Sequence, residues 1–206
     1  MAVYDLIRFG SRVLMWAVAR VTVEGAEYLE RPSGYILASN HLCSWDPPFI
    51  LSITPPRPKL TVLAAAKWQK VAPLRWLFDA MDAIYLRQGD ADRTALKAAL
   101  ALLKSGGTIG MSPEGTRSRT GALIRARSGV AWLALRANTP VVPVAIWGIE
   151  TINHELRHLR RAEVRARIGP AITFDPGLTA EAATDQLMRA IAALLPEEYR
   201  GVYGQD

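Results

Sequence analysis

The sequence predicts a single α/β domain with a central, mostly β-sheet core flanked by helices. Short apolar runs typical of buried strands alternate along the chain with longer segments whose apolar residues recur at helical spacing. The chain has 206 residues, of which 50% are hydrophobic and 21% are charged. This composition is that of a globular protein with one sizeable core, so it excludes a disordered or fibrous chain.

The first predicted element is an amphipathic helix over residues 2–20, ahead of a larger domain over residues 21–206. The apolar residues of the helix recur on one face: Val3, Leu6, Ile7, Val13, Leu14 and Ala17. Asp5, Arg8 and Arg12 fall on the opposite face. Such a helix either packs on the core or lies in a membrane interface with its basic residues at the lipid head groups. We expect no secretory signal and no bilayer-spanning segment.

Strands and helices alternate through the rest of the chain. Strands are predicted at residues 21–24, 34–39, 60–65, 83–87, 108–112, 140–147 and 164–168. Helices are predicted to begin at Asp46 and to cover residues 67–78, 92–104, 128–137 and 179–195. Prolines in the first turn support the helix start at Asp46. Two glycines end the helix at residue 104, and a threonine caps the last helix.

The chain is basic, with a formal net charge of +6 and an isoelectric point near 9.8. Basic proteins bind nucleic acid, anionic lipid head groups or acidic soluble partners. The sequence has no zinc-finger spacing and no dense basic run with interleaved aromatic residues, so no nucleic-acid partner is expected. The single cysteine, Cys43, excludes an intrachain disulfide and fits a reducing compartment.

The most informative run contains His41 and Asp46, directly after the strand predicted at residues 34–39. Loops that follow buried strands are where α/β proteins commonly build sites. A carboxylate five residues after a histidine can fold back onto one ring nitrogen. That contact fixes the tautomer and leaves the other nitrogen free as a general base. Taken alone, the spacing also fits a solvent-facing histidine near a helix-capping aspartate.

A second polar block, residues 113–118, follows the strand predicted at residues 108–112. Gly115 allows a tight turn that can approach a ligand closely. Glu114 can accept hydrogen bonds from ligand hydroxyls, and the guanidinium of Arg117 matches the geometry of a phosphate. An ordinary polar turn with a surface Arg–Glu pair is the alternative interpretation.

With both blocks in view, the sequence resembles the glycerolipid acyltransferase family. The first family block reads Asn-His-x4-Asp, and the third reads Pro-Glu-Gly-Thr-Arg-Ser. The four family blocks correspond to residues 40–46, 83–87, 113–118 and 139–146, the second of them loosely. Ser112 stands where the family usually has phenylalanine, and Leu86 stands where an acidic residue often precedes the arginine. The likeness runs from about residue 21 to about residue 170.

The resemblance implies a glycerol-3-phosphate acyltransferase-like fold and a transfer reaction in phospholipid biosynthesis. A fatty acyl group would move from acyl-CoA or acyl carrier protein to the free hydroxyl of a lysophosphatidic acid-like acceptor. His41 would be the general base and Asp46 would orient it. The residues implied to bind substrate are Lys67, Arg87, Glu114, Gly115, Thr116 and Arg117.

The resemblance also implies a reaction without metal, cofactor or acyl-enzyme. The protein is expected to contact an anionic membrane on its cytoplasmic face, as a peripheral or monotopic protein. Another lysophospholipid or lipid remains open as the acceptor, and either acyl donor fits a basic surface.

Other classes of function stay in view. His154, Glu155 and His158 match the short zinc-metalloprotease pattern, which needs a long helix and a third ligand. Cys43 lies close to His41 in the chain and could form the nucleophile–base pair of a covalent thioesterase. A non-catalytic membrane-binding protein is the third alternative.

Overall fold

The computed structural model describes residues 2–86 and 92–204. Within them, strands form a single sheet. The strands are β1 Ala19–Glu24, β2 Ile36–Ser39, β3 Leu60–Ala65, β4 Ile84–Leu86, β5 Thr108–Met111, β6 Val141–Trp147 and β7 Ala162–Ile168. The helices are α1 Ala2–Val18, α2 Asp46–Ile53, α3 Ala72–Ala80, α4 Arg93–Lys104, α5 Gly129–Ala137, α6 Ile152–Arg157 and α7 Ala180–Leu194. Short 3₁₀ turns are Ala26–Leu29, Ala66–Lys70, Ile149–Thr151, Glu197–Tyr199 and Gly201–Tyr203.

The strand order across the sheet is β1-β7-β6-β2-β5-β3-β4. Strands β6, β2, β5, β3 and β4 run parallel to one another. Strand β7 is antiparallel to β6, and β1 is parallel to β7. The carboxyl ends of the five parallel strands therefore lie at one edge of the sheet, which we call the carboxyl edge. The loops after β2 and β5 are neighbours there because these two strands pair.

Apolar side chains cover both faces of the sheet. Leu37 of β2 packs with α1 and α2 on one face, whereas Ile36 and Ala38 pack with α4, α5 and α7 on the other. A strand buried on both faces gives the continuous apolar run that the sequence shows at this position. The prediction of one α/β domain with flanking helices is confirmed.

Helix α1 ends at Val18, two residues earlier than predicted, because Ala19 already pairs with β7. Of the two settings weighed for the helix, its basic residues show contacts of the first, packing against the domain. Arg8 is buried and donates from Nε to the carbonyl of Thr54 at 3.1 Å. Arg12 donates from Nε to the carbonyl of Ser52 at 2.9 Å. These arginines satisfy carbonyl groups at the end of α2.

The two settings weighed for α1 turn out to be compatible with each other. Tyr4 and Met15 are buried in the core, so one side of α1 packs against the rest of the fold. On its outer side, Leu6, Phe9 and Trp16 are 66%, 64% and 70% exposed. Among the described residues, no helix combines the length and apolarity needed to cross a membrane.

Candidate active site

The carboxyl edge gathers the segments that the sequence singled out. The loop with His41 follows β2, and the loop with Glu114 follows β5. Lys67 follows β3 directly. Neighbouring strands lie about 5 Å apart, so Lys67, two strands from β2, begins roughly 10 Å along the edge from the histidine loop. Arg87 lies outside the described residues.

His41 and Asp46 form the predicted contact, with Nδ1 of the ring 2.6 Å from Oδ2 of the carboxylate. Asp46 is buried, whereas 30% of the His41 side chain is exposed. Because a carboxylate only accepts hydrogen bonds, Nδ1 carries the proton and Nε2 presents its lone pair. Within the described ranges, no residue forms a hydrogen bond with Nε2. The arrangement is that of an oriented base open to a ligand.

The start of α2 holds Asp46 in place. Its Oδ2 also accepts from the backbone N–H groups of Leu42 at 2.7 Å and Cys43 at 3.1 Å. The carboxylate therefore organises the loop that carries the imidazole as well as the imidazole itself. Hydrogen bonds to an ionised acceptor are about twice as strong as neutral ones, which suits a buried carboxylate in this position.

Asn40 fixes the same loop to the neighbouring strand β6. Its side-chain amide donates to the carbonyl of Ile146 and accepts from the N–H of Ile146, both at 2.8 Å. Asn40 is 2% exposed. Asn40 is the first residue of the Asn-His-x4-Asp block, but the sequence alone assigns its side chain no role. The structure shows that its side chain continues the pairing of β2 with β6.

In the structure the carboxylate of Glu114 accepts from two backbone N–H groups, whereas the sequence predicted that it would accept from ligand hydroxyls. Its Oε2 accepts from the N–H of His41 at 2.7 Å, and its Oε1 accepts from the N–H of Ile124 at 3.0 Å. The residue is 2% exposed, so both oxygens face protein rather than a ligand. Burial raises the pKa of Glu114, and the two N–H groups oppose that shift.

Gly115 makes the tight turn that the sequence predicted, with φ at +66°. A Cβ at this position would stand 3.2 Å from Cδ of Arg127, so the missing side chain leaves room for the stem of that arginine. Thr116 and Arg117 are exposed on the outside of the turn. Among the described residues, neither Arg117 nor Arg127 has an acidic partner, which leaves two free cations beside the turn.

Cys43 does not have the environment of a nucleophile. Burial, followed by the charge of Asp46, raises its pKa to about 12. Its Sγ lies 3.7 Å from Oδ1 of Asp46 and 3.7 Å from the carbonyl of Ile149. Since the thiolate is the reactive form, a thiol held protonated beside a carboxylate is poorly suited to covalent catalysis.

His154 and Glu155 of the zinc-protease pattern lie on α6, a helix of six residues, and His158 follows its last residue. The rings of His154 and His158 lie against each other with centroids 4.7 Å apart, and Glu155 pairs with Arg160 at 2.9 Å. The part of the chain that the structure describes contains no cluster of three potential metal-binding side chains. Within residues 2–86 and 92–204, neither a long helix nor a third ligand accompanies this pattern.

Comparisons with known proteins bear on the whole arrangement. A family model described as "Acyltransferase" matches residues 20–147, which include both polar blocks. A relative from Mus musculus, 1-acyl-sn-glycerol-3-phosphate acyltransferase alpha, is 27% identical over 163 residues, covering 78% of this chain and 57% of the relative. A relative from Borreliella burgdorferi, 1-acyl-sn-glycerol-3-phosphate acyltransferase, is 26% identical over 149 residues, covering 70% of this chain and 58% of the relative. The chain thus spans less than two thirds of the length of either relative.

The fold has a counterpart among solved structures. The crystal structure of the 1-acyl-sn-glycerophosphate acyltransferase PlsC from Thermotoga maritima superposes with a TM-score of 0.73 at 26% identity. The match covers 92% of this chain and 76% of that chain. The family match extends over more than half of the sequence and contains the paired His41 and Asp46. The chain therefore belongs to the acyltransferase family.

Proposed function

We propose that this protein is an O-acyltransferase that converts a lysophosphatidic acid-like acceptor into phosphatidic acid. The acyl donor in this proposal is a thioester, either acyl-CoA or acyl carrier protein. The observation that carries the proposal is the 2.6 Å contact between His41 and Asp46 at the carboxyl edge, with the imidazole partly exposed. The names of the two relatives and of the solved structure support the same reaction.

The proposed reaction uses His41 first as a base and then as an acid. Nε2 takes the proton of the acceptor hydroxyl while the oxygen attacks the thioester carbonyl. The tetrahedral adduct then expels the thiolate, and Nε2 returns the proton to sulfur. Asp46 holds the ring and stabilises its charged form, and a positioned base of this kind contributes roughly 10²–10⁴ in rate.

The phosphate of the acceptor is proposed to bind at the turn after β5. Arg117 is exposed on this turn, and Arg127 lies over Gly115 beside it. Lys67 is exposed further along the same edge, and Arg87 stays a candidate from the sequence alone. A guanidinium binds a phosphate in two parallel hydrogen bonds, which suits recognition of a terminal phosphate monoester.

Arg117→Ala is expected to weaken the use of phosphate-bearing acceptors selectively. A charge-assisted contact contributes roughly 1.5–3 kcal/mol, or about tenfold to a hundredfold in affinity. The KM for lysophosphatidic acid should therefore rise, with a much smaller change for lysophosphatidylcholine. Initial rates with a labelled acyl thioester measure both. Arg136→Ala removes an equal charge on α5 and should keep the wild-type preference. An unchanged preference ratio in Arg117→Ala would remove this residue from phosphate recognition.

The exposed side of α1 is proposed to rest in the interface of an anionic membrane, on its cytoplasmic face. Leu6, Phe9 and Trp16 supply apolar contact. Helix α3 adds the exposed Trp76, and Lys70 is exposed just before that helix. Each basic residue near such a surface contributes about 1 kcal/mol, which salt screens. Since the guanidinium groups of Arg8 and Arg12 donate to carbonyl groups at the end of α2, we assign the attraction to anionic lipid to other basic residues.

Serine at Phe9 and Trp16 should weaken co-sedimentation with anionic liposomes several-fold. Both side chains are exposed and lie outside the core, so the substitutions test the surface without removing core packing. A truncation of α1 would not serve, because it would also strip Tyr4 from the core. Val202→Ser, which changes an exposed apolar residue elsewhere, is the matched control. Equal binding of the double variant and the control would show that α1 is not the docking surface.

A further inference from the structure

Glu114 is a buried carboxylate that joins two loops of the site. It accepts from the N–H of His41 at 2.7 Å and from the N–H of Ile124 at 3.0 Å. We propose that Glu114 is a positioning residue that sets the place of the His41 backbone relative to the loop over residues 113–127. This inference rests on the proposed acyl transfer, in which His41 is the base.

The chemistry of the contact requires a carboxylate. Both groups that Glu114 meets are N–H donors, and an ionised carboxylate offers an acceptor to each. Glutamine would place its NH₂ group against one of these donors, and aspartate would fall one methylene short. Burying a charge is costly unless hydrogen bonds compensate it, so an ionised side chain that is 2% exposed needs both contacts.

The other end of the contact is itself anchored. Leu123, next to Ile124, donates its N–H to the carbonyl of Tyr199 at 2.9 Å. The N–H of Ala126 donates to the hydroxyl of Tyr203 at 3.1 Å. The loop that Glu114 holds is therefore fixed against the 3₁₀ turns near residues 197–203. Through its hydrogen bond with the N–H of His41, Glu114 holds the His41 backbone in place against this fixed loop.

A second contact supports the same alignment. The N–H of Ser118 donates to the carbonyl of His41 at 2.8 Å, so both backbone polar groups of His41 bond to the loop over residues 113–127. Arg117 lies on that loop. The distance between the base and the proposed phosphate-binding cation is therefore set by Glu114 and by the Ser118 contact together. If Glu114 aligns these groups, its substitution should lower kcat and leave the affinity for the acceptor unchanged.

Glu114→Gln should lower kcat roughly tenfold to a hundredfold, because a displacement of about 1 Å can cost as much. The KM for lysophosphatidic acid should stay within about twofold, because the substitution removes no contact with the acceptor. Amide hydrogen exchange at His41 and Ile124 should become faster in the variant. Leu29→Ala, a truncation of a fully buried residue in the 3₁₀ turn beside β7 and outside the cluster that packs the loop over residues 113–127, controls for lost stability.

A raised KM with unchanged kcat would overturn the inference in favour of a ligand-binding Glu114. Unchanged exchange at His41 in Glu114→Gln, or an equal loss of kcat in Leu29→Ala, would also overturn it. If Glu114→Gln does not fold, Glu114→Asp replaces it, and the wild-type amide of His41 must still show strong protection. Protection of this amide is read without turnover, so absent acyl transfer in the wild type would count against the proposed function alone.

Discussion

His41→Ala is expected to lower acyl transfer by roughly 10²–10⁴ while the fold remains intact, because the substitution removes the general base. The imidazole is 30% exposed, so its loss removes little core packing. The measurement is turnover of a labelled acyl thioester with lysophosphatidic acid, alongside thermal unfolding of both proteins. A folded variant that retains wild-type turnover would exclude His41 as the base.

Cys43→Ala is the matched control for the loss at His41, since the two residues share one loop. The variant should keep most of its activity because a thiol with a pKa near 12 is not a nucleophile at neutral pH. Mass spectrometry of the wild type during turnover checks the alternative directly. A competent acyl adduct on Cys43 would contradict direct transfer to the acceptor.

Asp46→Asn is expected to cost about 10²–10⁴ in kcat and to lower thermal stability as well. Its Oδ2 accepts from the ring of His41 and from the N–H groups of Leu42 and Cys43. Asparagine can place its amide oxygen where Oδ2 stands and keep these contacts, but it carries no charge to stabilise the protonated ring of His41. If the amide instead turns its NH₂ group toward the ring, Nδ1 must accept, and His41 adopts the other tautomer, in which Nε2 is protonated and cannot act as a base.

The two effects of Asp46→Asn can be separated by experiment. Thermal unfolding reports the loop contacts, and the ¹⁵N shifts of the His41 ring report which nitrogen carries the proton. A control with comparable destabilisation, such as Leu187→Ala, should keep near-wild-type kcat. If Asp46→Asn keeps its turnover and its Nδ1–H tautomer, Asp46 is a structural residue of the loop and does not orient the base.

The sequence was most informative where a structural feature is local. Strand and helix periodicity placed the elements of the sheet and its flanking helices. The His41–Asp46 contact was also predictable, because five residues of loop and helix start are enough to bring the side chains together. The tight turn at Gly115 is local in the same sense, since its φ of +66° depends on a single residue.

Contacts between distant segments could not be predicted in this way. Glu114 and His41 are 73 positions apart, so no local pattern distinguishes a carboxylate that meets a ligand from one that meets a backbone N–H. The same reason applies to Arg8, whose partner Thr54 is 46 positions away. Periodicity defined two faces of α1, but it does not say which face meets the core. Here the core takes Tyr4, Arg8 and Met15, and much of the apolar stripe stays outside.

The exposed end of α1 lies near the carboxyl edge. Ala19, directly after this helix, pairs with Ala162 at the start of β7, and the antiparallel pairing of β7 with β6 places that start beyond the end of β6. The guanidinium of Arg161 lies 5.3 Å from the ring of Trp16, which ties the helix end to this corner. A protein docked on a membrane through this corner would meet acceptor molecules that diffuse within the bilayer surface and not in the bulk solution. Its rate would then follow the mole fraction of lysophospholipid in the bilayer and would fall when inert lipid dilutes that surface at constant bulk concentration.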